Sequence, residues 1–253
     1  LTPTPFTPLK RRESKGNPSP VRRKTTHRRD ARQSLAAFPF THSPPREENT
    51  MYCLLIAGVP ASGKTTLSEA IADKLNLPLL SKDAIKERLF DHVGFQSRQE
   101  KVSLGIASME ILYYAAERLM WAGLPFILEN NFEFSSEAGI KALLEKHHYP
   151  ALTVLLTGDY KAIYRRFQER ELTPGRHRGH VVNDCYPERA GQASACPPAP
   201  SYEDYVRGIE TRGFDAFSAG DAQLRVDATD PAAIDVEDIC AQIDAWRKRL
   251  PRS

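Results

Sequence analysis

Eight consecutive residues carry the plainest chemistry in the chain: Gly58, Val59, Pro60, Ala61, Ser62, Gly63, Lys64 and Thr65. Gly-x-x-x-x-Gly-Lys-Thr is the spacing of a phosphate-binding loop when a strand runs into it and a helix runs out. Two glycines let the backbone close around phosphate oxygens. Successive N–H groups at a helix start form an anion nest. Lys64 brings positive charge to the β- and γ-phosphates, and the Thr65 hydroxyl is placed to ligate Mg²⁺. With Thr66 next in line, residues 58–66 form the expected nucleotide-binding set. The flanks supply the required context. Met51–Ala57 is an apolar run, and Thr66–Leu75 repeats apolar residues at helical spacing.

Three further groups of residues can act on a bound triphosphate. Ser81-Lys82-Asp83 ends a second apolar run. Asp83 can cap the helix that follows, or it can take the proton of an acceptor hydroxyl. Lys86, one helical turn on, can hold a substrate anion or stand as a solvated lysine. Glu129-Asn130-Asn131 follows a third run. Glu129 can orient metal-bound water, bind substrate hydroxyls, or be a surface carboxylate at a strand end; Asn131 is a candidate for the acceptor pocket. Arg165, Arg166, Arg170, Arg176 and Arg178 span a helix end and a Gly/Pro-broken loop. Guanidinium forks match the charge spread of a transferring phosphoryl group, and a closing loop excludes water. These five arginines read as a mobile basic lid. His177 and His180 lack a third ligand for a metal and read as substrate contacts or exposed side chains.

The elements that must position these residues follow from periodicity. Strands are expected at Tyr52–Ala57, Leu77–Leu80, Pro125–Leu128, Ala151–Leu156 and Gln223–Val226. Helices are expected at Lys64–Leu75, Asp83–Phe90, Gln99–Trp121, Ser135–Lys146, Tyr160–Glu171 and Ile234–Arg249, with 183–201 an irregular connection. Strands alternating with helices give a parallel sheet covered on both faces. Ligands then lie beyond the carboxyl ends of the strands. The lid and the loop Asp227-Ala228-Thr229 are the expected walls of an adenine pocket.

Charge is distributed unevenly. Of 35 Lys/Arg and 32 Asp/Glu, residues 1–50 hold 11 and 4, so the remainder is mildly acidic. The first 50 residues also carry eight prolines and few large apolar side chains. Such a segment buries too little surface to offset its chain entropy and reads as a disordered tail. Its arginine pairs would suit an acidic partner, but a passive tail is the simpler reading. Met51 stands directly before the first strand and reads as the true start, with 1–50 translated upstream sequence. Residues 51–253 then form one domain. Cys53, Cys185, Cys196 and Cys240 have no metal-ligand spacing and read as reduced thiols of a cytoplasmic protein. No apolar run reaches the roughly 18 residues of a membrane span.

The order of these motifs resembles bacterial P-loop kinases of the AAA_33 or zeta-toxin-like type. Polynucleotide 5′-kinases, chloramphenicol phosphotransferase, gluconate kinase and shikimate kinase are relatives. The resemblance covers about residues 51–250 and implies a three-layer α/β/α P-loop NTPase fold with a five-stranded parallel sheet and a basic lid. It implies ATP and Mg²⁺ as cofactors, with Asp83 activating the acceptor hydroxyl and Arg166 and Arg170 as catalytic lid arginines beside Lys64; Arg176 of the lid is expected to join them in bracing the transferring group and to bind the nucleotide. Where polynucleotide kinases place an arginine for the acceptor's phosphate, this chain has Lys86, which lacks a bidentate fork. With the acidic domain, that argues against a nucleic-acid 5′ end. The expected function is transfer of the γ-phosphoryl group of ATP to a hydroxyl of a small molecule. The alternatives are a polynucleotide 5′-kinase that uses the basic tail, and a nucleotide-binding regulatory module with no acceptor.

Overall fold

The computed structural model describes residues 51–171, 173, 175–189 and 197–251. The expected disordered tail, residues 1–50, lies outside the described residues, as does Cys196.

Five strands form one sheet: β1 (Cys53–Gly58), β2 (Leu79–Ser81), β3 (Phe126–Glu129), β4 (Ala151–Thr157) and β5 (Ala222–Asp227). Their order is β2-β3-β1-β4-β5, and every pairing is parallel. The helices are α1 (Lys64–Leu75), α2 (Lys82–His92), α3 (Arg98–Trp121), α4 (Phe134–His147), α5 (Tyr160–Glu171), α6 (Arg178–Val181), α7 (Tyr202–Arg212) and α8 (Val236–Arg247).

β1 shows why the sheet takes helices on both faces. All six of its residues are buried, and their side chains alternate in direction. Leu54 and Ile56 pack with Leu67 and Ile71 of α1 and with Ile239 and Ile243 of α8. Cys53, Leu55 and Ala57 face the other way, onto Leu112 and Ala116 of α3 and Ile140 of α4. A strand buried on both faces reads as a continuous apolar run, which is what Cys53–Ala57 presents.

Some boundaries shift for local reasons. β2 begins at Leu79 because the Leu77 amide bonds to Ala72 at the end of α1 and Pro78 has no N–H to give. α8 begins at Val236, capped by the Asp235 side chain, after a 3-10 turn over Pro231–Ala233. α7 is not among the expected elements; it begins directly after the expected irregular connection 183–201. Ser201 caps it by accepting from the Asp204 amide, and Tyr205 and Ile209 form its buried face.

Candidate active site

The strand-to-helix loop is held by backbone geometry that few residues tolerate. Gly58 has φ +135°, and a Cβ there would lie 2.1 Å from the Leu156 carbonyl oxygen of β4. Gly63 has φ +93° at the start of α1, a region that L side chains rarely enter. The loop closes on Lys64, whose Nζ is buried and donates to the Val59 carbonyl at 2.8 Å. Burial pushes the Lys64 ammonium down to about 8, against the opposing pull of Glu129 and Asp83 and with Arg170 adding to the depression. Thr65, at the first turn of α1, is exposed. A residue far along the chain braces the loop, because Tyr205 of α7 donates its hydroxyl to the Pro60 carbonyl at 2.8 Å.

Glu129 ends β3 in register with Ile56 of β1 and Ser81 of β2. It is 4% exposed, so the surface-carboxylate reading does not hold. Burial raises its carboxyl, while Lys64 and hydrogen bonds from Ser81 and Thr65 pull it back. The Ser81 hydroxyl donates to Glu129 Oε2 at 2.5 Å. The same Ser81 oxygen accepts from the Ala84 amide and caps α2. Asp83 is therefore not the cap. It lies inside the first turn of α2 with its carboxylate available to the site. Burial would raise that carboxyl, but the surrounding positive charge outweighs it: Lys86, Arg176, Lys82, and His180 when protonated. Its titration is held below the usual range.

The arginines of the expected lid divide by task. Arg166 donates Nη1 to the Thr229 carbonyl at 2.7 Å, Nη2 to the Ala228 carbonyl and Nε to the Ala61 carbonyl at 3.4 Å. It ties the phosphate loop to the connection after β5. Arg170, one turn on, lies over Phe167 and acts on the charge of Lys64. Arg176 acts on Asp83, Lys86 and His180, which puts it on the acceptor side. Arg178 makes a two-pronged pair with Glu188, at 2.7 and 2.8 Å.

The basic loop rests on α2. His180 Nε2 sits 3.0 Å from Glu87 Oε1, and His177 Nε2 sits 3.1 Å from Asp91 Oδ1. Both imidazoles are largely covered, which corrects the expectation of exposed histidines. Burial pushes His180 down to about 3 against the opposing pull of Asp83, with Arg176, Lys86 and His177 adding to the depression. Among the described residues no group of His, Cys, Asp or Glu could hold a metal by itself. Lys101 of α3 is 4% exposed and donates to the His180 and Val182 carbonyls at 2.7 and 2.5 Å. It fixes the C-terminal base of this loop.

Between α2, α3 and the start of α4 opens a cleft of about 470 Å³, lined by Lys82, Lys86, Met109, Asn130 and neighbours on α3 and α4. Of the residues named from sequence, Lys86 lines it, whereas Asp83 and Glu129 do not. Asn130 lines it, whereas Asn131 does not. Sequence reasoning missed Tyr205, Lys101 and Ser81. Only Tyr205 had a local signal, the Ser201-x-x-Asp204 cap followed by an apolar i, i+4 pair.

The profile of AAA_33, described as an AAA domain, matches residues 54–184, just over half of the chain. The chain belongs to the AAA_33 family. Among solved structures, a candidate kinase from Chloroflexus aurantiacus J-10-fl is 28% identical with a TM-score of 0.65, covering 80% of this chain and 100% of that one. A gluconokinase from Sinorhizobium meliloti 1021 is 17% identical with a TM-score of 0.46, covering 79% and 93%. A shikimate kinase from Bacteroides thetaiotaomicron is 16% identical with a TM-score of 0.46, covering 78% and 99%. No curated protein matches the chain. This AAA_33 chain has the P-loop kinase type of fold, with a five-stranded parallel sheet between helical layers.

Proposed function

We propose that this AAA_33 protein is an ATP-dependent kinase that transfers the γ-phosphoryl group of ATP to a hydroxyl of a small molecule. The observation that carries the proposal is the placement of Asp83. Its carboxylate is released from helix capping by Ser81, acts on the charges of both Lys64 and Lys86, and lies on α2 between Lys82 and Lys86, which line the cleft. A hydrolase would need a group to position water there; a carboxylate beside an acceptor-sized space suits an alcohol.

In this reading the loop amides and Lys64 neutralise the triphosphate, and Arg170 braces the transferring group. Asp83 orients the acceptor hydroxyl and takes its proton. Arg166 shapes the base side of the nucleotide site. Arg176, expected to serve the nucleotide, fits the acceptor side better because of its neighbours. The donor set suits Mg²⁺. A threonine hydroxyl at Thr65 and the carboxylate of Glu129 are hard oxygen ligands that are hydrogen-bonded to each other. Bound there, the ion would supply charge neutralisation at the phosphates.

ADP release from the full chain, screened against hydroxyl acceptors, tests the proposal. Lys64→Ala should abolish turnover. Asp83→Asn should retain ATP binding and lose about 100-fold or more in transfer. Near-full transfer by Asp83→Asn refutes the base assignment, and ATP turnover that no acceptor stimulates refutes the kinase reading.

A further inference from the structure

The cleft between α2, α3 and α4 has a chemical character that the nucleotide does not explain. One end is cationic: Lys82, Lys86 and Arg98 line it, and Arg176 adds its field to Lys86. Asp83 is the carboxylate that compensates Lys86. Glu110 and Glu133 also line the cleft, but Glu133 faces Arg212 at 3.6 Å. The cationic end therefore holds more positive than negative charge and stands ready for an anion.

The long wall is apolar. Val102, Ile106 and Met109 project from successive turns of α3, and Tyr113 continues the line. Val102 is 46% exposed and Ile106 61% exposed, so water meets an apolar surface that a ligand would cover. Gly105 lies between them. A Cβ there would sit 3.6 Å from Lys86 Cε and 3.7 Å from Nζ. A glycine inside a helix costs about 1 kcal/mol relative to alanine, and here its missing side chain keeps the approach to the Lys86 ammonium open.

The geometry points to an acceptor that joins an anionic group to an apolar, flat body, and not to a polyol. The inference rests on the kinase reading of this site for the transferred group, though not for the binding itself. A polyol needs hydrogen-bond partners on every face; this wall offers methyl groups, a thioether and a ring. The anion lies against Lys86, Lys82 and Arg98, the body lies along α3, and the hydroxyl reaches Asp83.

The test uses the full chain and matched probes, with binding measured by calorimetry in the presence of a non-hydrolysable ATP analogue. The probes are 4-(hydroxymethyl)benzoate, benzyl alcohol and D-gluconate, which separate charge from apolar surface; 4-(hydroxymethyl)phenyl phosphate separates phosphate from carboxylate. The aryl anions should bind about tenfold or more tighter than benzyl alcohol, as one charged hydrogen bond allows, and tighter than gluconate by a similar factor. Lys86→Gln should bring the aryl anions to the affinity of benzyl alcohol. Gly105→Leu should close the space and abolish binding of both aryl classes. Ile106→Glu, at an exposed position that folding does not depend on, should do the same if the leucine variant fails to fold. Gluconate binding as tightly as the aryl anions, benzyl alcohol matching them, no aryl binding, or indifference to Ile106→Glu each overturns the proposal. Aryl-anion binding without ADP release would leave the cleft assignment standing and sink the kinase reading. ADP release with gluconate alone would do the reverse.

Discussion

Replacing Arg166 by lysine separates two roles that a guanidinium can play. If Arg166 supplies charge to the phosphates, lysine preserves most of its effect. If it is a clamp, lysine fails, because an ammonium lacks the planar fork that spans the Thr229, Ala228 and Ala61 carbonyls. The cost follows from what is left behind. Thr229 and Ala61 are partly exposed and can turn to water, but Ala228 is fully buried. One orphaned buried acceptor costs about 1–3 kcal/mol. For a domain of this size, roughly 2 kcal/mol lowers Tm by about 4–8 °C. Thermal unfolding and ATP affinity, measured side by side on Arg166→Lys and Arg166→Ala, check the reasoning. Both variants should lose stability and ATP affinity to a similar degree, although one keeps the charge. An Arg166→Lys protein that melts and binds ATP like the wild type refutes the clamp.

Two further outcomes are expected. Tyr205→Phe removes the hydroxyl bond to the Pro60 carbonyl, which is worth about 0.5–1.5 kcal/mol; ATP affinity by calorimetry should fall several-fold, and an unchanged affinity would deny α7 a part in holding the loop. His180 is held neutral in the fold down to about 3, while the unfolded chain takes up a proton near the ordinary histidine value. The unfolded state thus binds more protons across that window, so stability falls as pH drops below about 6.5, by at most about 1.4 kcal/mol per unit. Urea unfolding at neutral and mildly acid pH should show a slope that His180→Gln flattens; equal slopes in the two proteins would contradict the assignment.

What the sequence disclosed was what is encoded locally. The phosphate loop specifies its own strand and helix, and α1 lies at Lys64–Leu75 as its periodicity demands. β1, β3 and β4 were legible because they are buried almost throughout and read as mainly apolar runs, whereas β2 and β5 are only partly buried. Roles that depend on distant partners were not legible. Arg166 and Arg170 look alike in sequence, yet one meets carbonyls more than sixty residues on and the other faces Lys64. Asp83 could be freed from the cap reading only by seeing Ser81 bond to both Ala84 and Glu129. The histidine pairs with Glu87 and Asp91 join segments more than eighty residues apart. α7 is a miss of a different kind: its cap and its Tyr205/Ile209 face are in the sequence, yet no element is expected between the irregular connection 183–201 and β5.

A general base works best with a pKa near the working pH, yet the cations around Asp83 hold it low. Glu129, buried on the other side of Lys64, is raised instead, so the two carboxylates are pushed apart in the manner of paired groups with different tasks. A weak base is tolerable because phosphoryl transfer passes through a loose transition state that asks mainly for positioning. Two of the cations that weaken Asp83, Lys86 and Lys82, are also those that meet the acceptor's anion. Neutralising Lys86 and Lys82 removes part of the stabilisation of the carboxylate and lets its pKa rise. Base strength would then increase only when acceptor is bound, which disfavours wasteful ATP hydrolysis. With saturating ATP and a sulfonate acceptor such as 4-(hydroxymethyl)benzenesulfonate, whose charge is constant across the range, the acid limb of kcat should lie at higher pH than that of kcat/KM. The first reports the acceptor complex and the second the acceptor-free form. Coincident limbs, or a kcat limb at lower pH, would show that the acceptor leaves Asp83 as it found it.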